Sequence, residues 1–227
     1  MKKVAFFDVD GTIFRSSLLI KIVEKLIEHK LFPEDSRKGY SLDYEMWTNR
    51  TGDYEKYIDS VVDVFMNNIK GVPYSSFLDT VEDVIEVEKF RTYRYTRDLI
   101  EKLKARGYYL IAISQSPKTI LDRFCENYGF DKVYGRIYEL GPNNSFTGKI
   151  IDSHLIGNKA TIIRRAVEKE NITLTDSYAV GDTEGDISML EMVDNPICFN
   201  PNATLYKIAK VRKWKVIVER KDVIYEI

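Results

Sequence analysis

An α/β fold built on a doubly wound parallel sheet is the class predicted by this 227-residue sequence. Three observations predict it. The chain opens on a short apolar run, Val4-Ala5-Phe6-Phe7, that ends at two carboxylates, Asp8 and Asp10. Four consecutive apolar residues bounded by charge match a strand buried on both faces. From Arg91 onward, strand-like apolar segments alternate with segments of helical period, the pattern of parallel strands joined by crossover helices. Between these regions, helical period dominates, so an all-helical insertion follows the first strand. The expected division is 1–14 with 91–227 as the α/β core, and 15–90 as a helical cap.

The insertion reads as a four-helix bundle. Ser17 to Lys30 puts Leu18, Ile22 and Leu26, flanked by Leu19, Val23 and Ile27, on one helical face. Ser16 or Ser17 is placed to cap it. Leu42 to Arg50 predicts a shorter helix, and Tyr54 to Ile69 a longer one that stops at Gly71-Val72-Pro73. Tyr74 to Phe90 supplies the fourth, through Phe77, Val81, Val84 and Ile85. Tyr40, Tyr44, Trp47, Tyr54, Tyr57 and Tyr74 read first as bundle core, and second as the wall of a pocket for an apolar or cationic group.

The core elements then follow in order. Tyr95, Leu99 and Leu103 mark a helix ending at Gly107, and Tyr108 to Ile113 is an apolar strand. Pro117 suits the first position of the next helix, with Ser116 as its cap, and that helix runs to Gly129. Val133 to Leu140 and Ser145 to Ile151, joined by Gly141-Pro142-Asn143-Asn144, predict a hairpin at the edge of the sheet. Lys159 opens a helix with Ile162, Ile163, Ala166 and Val167 inward. Ser177 to Val180 is a strand ending in Gly181-Asp182-Thr183-Glu184-Gly185-Asp186, followed by a helix through Ile187, Leu190 and Met192. The strand Pro196 to Phe199, a helix over Ala203 to Lys210 and the strand Lys215 to Val218 complete the sheet.

Composition excludes several classes. A net charge of −1 supplies no global field for nucleic acid or an anionic membrane. The basic run Lys207 to Lys221 alternates with apolar residues, as a solvated helix and edge strand would. No apolar run reaches membrane-spanning length, and the run after Lys2-Lys3 is too short for a secretory signal. Cys125 and Cys198 sit in apolar surroundings without metal-type spacing, which fits a reducing cytoplasm. His29 and His154 also lack metal spacing and read as structural or surface residues.

The carboxyl ends of parallel strands share one edge of the sheet, where such folds bind ligands. Asp8 and Asp10, Ser114, and Asp182 with Asp186 all fall at predicted strand ends, and Lys159 opens a helix returning to that edge. This is a kit for handling a phosphoryl group with a hard divalent cation. Four carboxylates and a phosphomonoester exceed the positive charge of Mg²⁺ and Lys159, so one carboxylate must hold a proton, which makes a general acid. A lysine at a helix N-terminus also opposes the macrodipole, a penalty that a bound phosphate reverses.

With these residues in place, the sequence resembles the haloacid-dehalogenase-like hydrolase superfamily, in its phosphoserine-phosphatase-like branch with a helical cap. The first motif stands as Asp8-Val9-Asp10-Gly11-Thr12, the second as Ser114 after Ile111-Ala112-Ile113, the third as Lys159, and the fourth as Gly181 to Asp186. Phe199-Asn200-Pro201-Asn202 resembles the branch's downstream segment. The resemblance covers essentially the whole chain. It implies a Rossmann-like core and a Mg²⁺-dependent phosphatase acting on a small phosphorylated metabolite. Asp8 would be the nucleophile that becomes an aspartyl phosphate, and Asp10 the acid and base. Mg²⁺ would be held by Asp8, the Asp10 backbone carbonyl, Asp182 and Asp186, while Thr12, Ser114 and Lys159 bind phosphoryl oxygens.

Three departures from the branch point away from phosphoserine itself: no glutamate near Ser17, Gln115-Ser116 in place of glycines, and Gly185 in place of asparagine. Arg15 is placed to reach a substrate carboxylate or second phosphate, or else lies on the surface. The rival enzymatic reading is a phosphotransferase passing the aspartyl phosphate to an alcohol, with phosphoserine phosphatase proper beside it. A phospho-acceptor signalling module shares the aspartates, hydroxyl and lysine, but it is shorter and lacks both the fourth motif and a helical insertion.

Overall fold

The computed structural model describes residues 1–151 and 157–227, and His154 lies outside the described residues. Two compact units divide the chain. The first comprises Met1–Ser17, Lys89–Arg136 and Asp152–Ile227, and the second Leu18–Glu88 with Ile137–Ile151.

In the first unit, β1 (Lys2–Phe7) is central, and β2 (Tyr109–Pro117), the first half of β3 (Lys132–Leu140), β5 (Ile172–Gly181), β6 (Asn195–Phe199), β7 (Lys215–Arg220) and β8 (Val223–Glu226) complete the sheet. Their order is β3-β2-β1-β5-β6-β7-β8, parallel up to β7, which β8 joins antiparallel. The strand order reverses between β1 and β5, and the crevice at such a switch point is where doubly wound sheets place their ligands. Val4, Ala5, Phe6 and Phe7 have no exposed surface, as a central strand covered on both faces requires. Helices α5 (Arg94–Ala105), α6 (Lys118–Glu126), α7 (Lys159–Lys169), the single turn α8 (Ile187–Leu190) and α9 (Ala203–Arg212) accompany the strands. Phe6, Ile111, Ile113, Ile163, Met189 and Leu205 belong to one buried cluster that ties strands to helices.

Four details differ from the sequence expectation. β5 begins at Ile172, because a register shift against β1 between Lys3 and Ala5 lets the strand resume pairing on both sides of the irregularity. β8 was not anticipated; Val223 to Glu226 is too short and too exposed to show a burial pattern in sequence. Val167, expected inward, is 38% exposed, since the inner face of α7 is filled by Ile162, Ile163 and Ala166. The helix after Asp186 stops at Leu190 rather than reaching Met192.

The second unit contains α1 (Leu18–Glu28), α2 (Lys38–Thr48), α3 (Tyr54–Asn68) and α4 (Tyr74–Glu88), together with the outer half of β3 and β4 (Phe146–Ile151). The hairpin forms at the β3 end of the strand order, but Ile137–Ile151 groups with the helices, outside the 15–90 range expected for the cap. Aromatic packing explains its allegiance. Phe146 meets Phe77 with ring centroids 5.0 Å apart, Tyr138 meets Phe65 at 5.1 Å, and Phe146 exchanges backbone hydrogen bonds with Gly71 and Val72. Tyr44, Trp47, Tyr54 and Tyr57 contact one another, with Tyr57 buried among them, so this group is bundle packing between α2 and α3. Tyr74 packs on Phe146. His29 is bound to Thr80 and lies 3.2 Å from Asp83, a structural role.

Candidate active site

Strand register builds the site. Phe7 pairs with Val180, and the Asp8 amide donates to the Val180 carbonyl at 2.9 Å, so Asp8 and the Gly181-Asp182 turn leave the sheet side by side. Past Asp8 the chain folds tightly, because the Val9 carbonyl accepts from the amides of Ile13 and Phe14, both at 2.9 Å. Gly11 sits in this turn at φ +79°, and a Cβ there would lie 2.1 Å from Asp182 Oδ2. Only glycine meets both demands.

Asp8, Asp182 and Asp186 each present a carboxylate oxygen, all within 4.8 Å of one another. The Lys159 ammonium is buried between two of them, 2.6 Å from Asp8 Oδ1 and 2.5 Å from Asp186 Oδ1. Asn158 caps α7 by accepting from the Ala160 amide, which fixes where Lys159 enters. Asp186 reaches back with Oδ2 to accept from the amides of Asp182 and Thr183, at 2.9 and 3.1 Å. Gly181 permits this, since a Cβ there would lie 2.4 Å from the Asp186 side chain. The Asn202 amide donates to the Asp182 carbonyl at 2.9 Å, and its side chain caps α9, so the Phe199–Asn202 segment braces the same turn.

Three carboxylates against one ammonium leave an excess of negative charge. Burial pushes the Asp8 carboxyl up to about 7 against the opposing pull of Lys159, with Asp186 and Asp10 adding to the rise. Burial likewise raises Asp182 well above the usual carboxylate range, aided by the charges of Asp8 and Asp186. Burial alone would lower Lys159, but Asp186 and Asp8 outweigh it and keep the ammonium charged. Asp8 Oδ2 is buried without a hydrogen-bond partner among the described residues. A hard divalent cation fits this donor set, because it takes oxygen ligands and offsets the surplus charge.

Asp10 turns elsewhere. Its Oδ2 accepts from the Ser114 hydroxyl at 2.6 Å and from the Ser116 hydroxyl at 2.8 Å, and the Ser116 amide donates to Ser114 Oγ at 2.9 Å. Ser116 is not the helix cap expected of it: Pro117 occupies the N-cap of α6, with no side-chain capping bond. β2 runs on through Pro117, and residues i and i+2 of a strand share a face, so Ser114 and Ser116 point together. That alternation was the signal available in sequence; the adjacent proline favoured a helix start instead.

Thr12 lies against the acidic cluster. It is fully buried, its hydroxyl donates to Asp182 Oδ1 at 3.2 Å, and its carbonyl accepts from Thr96. The structure therefore directs Thr12 at an acidic partner. Arg15 is exposed, with its guanidinium 5.4 Å from the Tyr93 ring centre.

The family model described as haloacid dehalogenase-like hydrolase matches residues 5–191. The chain belongs to this family. Among its relatives, an inhibition of morphological differentiation protein from Streptomyces azureus is 23% identical over 225 residues, covering 95% of this chain and 78% of that protein. A histidinol-phosphatase from Neisseria meningitidis is 27% identical over 125 residues, covering 53% of this chain and 56% of that protein. A solved structure of a phospho-aspartyl intermediate analogue of phosphoserine phosphatase aligns with a TM-score of 0.63 at 23% identity, covering 97% of this chain and 95% of that one. At that identity the likeness is one of fold. Within this family the chain is a phosphatase whose core is Rossmann-like and mostly parallel.

Proposed function

We propose that the chain hydrolyses a small phosphomonoester through an aspartyl phosphate formed on Asp8. One observation carries this reading: Asp8 Oδ1 is held by Lys159 while Oδ2 is buried and unbonded among the described residues, beside an Asp10 carboxylate oriented by two serines. An oxygen held in that way is prepared to attack. In the first step, Asp8 forms a bond to phosphorus as the ester oxygen leaves, and Asp10 gives that oxygen a proton. In the second, Asp10 takes a proton from water, the new hydroxide attacks phosphorus, and the Asp8–phosphorus bond breaks to release phosphate. Lys159 sits where it stabilises charge on the phosphoryl oxygens, and Ser114 reaches one of them by turning from Asp10, which Ser116 then retains.

Asp8, Asp182 and Asp186, with the Asp10 carbonyl, would hold Mg²⁺. Bound there, it neutralises negative charge where the phosphoryl group meets Asp8. Thr12 orients Asp182 in this reading rather than touching phosphate. The helical insertion, with the hairpin Ile137–Ile151, is assigned as the cap, and a compact metabolite is preferred over a phosphoprotein because a closing cap excludes water and bulky chains. The relatives' names span more than one substrate, and the missing glutamate near Ser17 favours an ester other than phosphoserine. Free, buried Cys125 and Cys198 support a reducing cytoplasm as the setting.

A phosphate-release screen over small phosphomonoesters tests the reading. Release should require Mg²⁺ and vanish in Asp8→Asn. Retained turnover in that variant sinks the nucleophile assignment. A phosphorylated alcohol appearing in place of free phosphate when an acceptor is added makes the enzyme a phosphotransferase.

A further inference from the structure

A cavity of about 560 Å³ opens in the first unit, on the edge of the sheet opposite the catalytic carboxylates. Its position follows from topology. Asn195, Pro196 and Lys215 line it at the amino ends of β6 and β7, and Tyr178 lies level with them, paired to Asn195. Asp8 and Asp182, in contrast, follow the carboxyl ends of β1 and β5. The cavity is therefore separate from the catalytic site, and its volume lies within the range of small-molecule sites.

Its lining joins two chemistries. Tyr95, Tyr178 and Trp214 present ring surface, and Lys102, Arg106 and Lys213 present positive charge. Helix period puts Tyr95, Leu99, Lys102 and Leu103 along one side of α5, and Arg106 follows as its C-cap, so one helix supplies the apolar wall and a cation beside it. Trp214 packs against the buried core cluster, and Tyr95 stacks on Phe199 with an interplanar angle of 7°. These rings are fixed rather than loose. Arg106 lies 3.8 Å from Asp176 Oδ2 and over the Tyr108 ring, and Lys215 is paired with Glu226 at 2.8 Å, so Lys102 and Lys213 carry the remaining positive charge of the lining. Asp194 is the acidic residue in the lining, and one of its carboxylate oxygens is engaged by the Asp176 amide at 2.6 Å. A chain of net charge −1 thus concentrates cations around fixed aromatic surface at one place.

We propose that this cavity binds a small planar aromatic anion, separately from the phosphomonoester substrate. Flat rings offer stacking area to a planar ligand, and Lys102 and Lys213 offset a carboxylate, sulfonate or phosphate on it. β5 joins the two locations directly, since Tyr178 lines the cavity and Asp182 lies four residues further along the chain. An occupant would therefore stand at one end of the strand that positions a catalytic carboxylate.

The test uses 1-naphthalenesulfonate as probe. The chain has two tryptophans, so Trp47→Phe leaves Trp214 as the sole indole reporter. The expected result is saturable quenching of Trp214 that weakens about tenfold or more in Lys102→Glu/Lys213→Glu, two exposed substitutions outside the core. Cyclohexanesulfonate and a naphthyl trimethylammonium salt should bind at least about tenfold more weakly, because each lacks one half of the chemistry. Inorganic phosphate with Mg²⁺ should leave the probe in place. No saturable quenching up to about 1 mM probe overturns the proposal, as does equal binding by the double variant or displacement by phosphate. A circular dichroism spectrum of the double variant matching the parent confirms that a loss reflects the cavity and not unfolding.

Discussion

The Ser116 hydroxyl donates a 2.8 Å hydrogen bond to Oδ2 of Asp10, the oxygen that also accepts from Ser114. A carboxylate held by two donors on one oxygen presents its other oxygen in a defined direction. Ser116→Ala should lower kcat by about 10- to 100-fold, the equivalent of one hydrogen bond to a charged group. KM should change little, because Ser116 orients Asp10 and does not bind substrate in the proposed reaction. Ser116→Thr should recover most of the rate. Steady-state kinetics of the two variants decide the matter, and an unchanged kcat in the alanine variant removes Ser116 from the mechanism.

Asp8→Asn retains the shape of the side chain but not its nucleophilic oxygen. Turnover should fall on the order of a thousandfold or more, with no phosphoenzyme trapped by acid quench. Thermal stability in the absence of metal should rise, because one of the crowded carboxylates is gone.

The same residue makes stability depend on pH in a predictable direction. Metal-free Asp8 titrates near pH 7 in the folded protein against an ordinary value of 3.8, raised first by burial. The folded state then holds a proton that the unfolded chain has released, so stability is complete below pH 3.8 and declines as pH rises through 7. Melting temperatures in a chelating buffer should fall between about pH 4 and pH 7, and Asp8→Asn should flatten the slope. Mg²⁺ should restore the wild-type protein most at neutral pH, where the carboxylates are charged.

Lys159 lies buried against Asp8 and Asp186, and Lys159→Met leaves those carboxylates without their ammonium. The metal-free protein should lose about 3–5 kcal/mol, the range for breaking a buried pair from one side. Urea titration with and without Mg²⁺ checks this, and the deficit should shrink when the cation is present.

Gly11→Ala combines a left-handed backbone at φ +79° with a Cβ 2.1 Å from Asp182 Oδ2. Strain of about 1–3 kcal/mol is expected, together with displacement of Asp182 and weaker Mg²⁺ binding by calorimetry. Unchanged metal affinity would mean that Asp182 is not a ligand.

Local patterns carried a great deal. The apolar run ending at Asp8, the helical period after Leu18 and the turn at Gly181-Asp182 are properties of neighbouring residues, so strand, insertion and acidic strand ends were legible in the amino-acid order. So were the residues that meet at the site, because the ends of parallel strands share one edge. What each side chain does there was decided by partners more than a hundred positions away. Thr12 faces Asp182, and Ser116 faces Asp10 and not the amide of a helix, because sheet order and register set their neighbours. The hairpin joined the helical unit through Phe146 and Tyr138, whose aromatic partners lie on α3 and α4. The aromatic, cationic cavity at the opposite edge likewise arises from four separate segments that only the folded sheet brings together. Sequence sets periodicity and chain order, which are short-range; side-chain partnership is a contact between distant segments, and only tertiary structure supplies it.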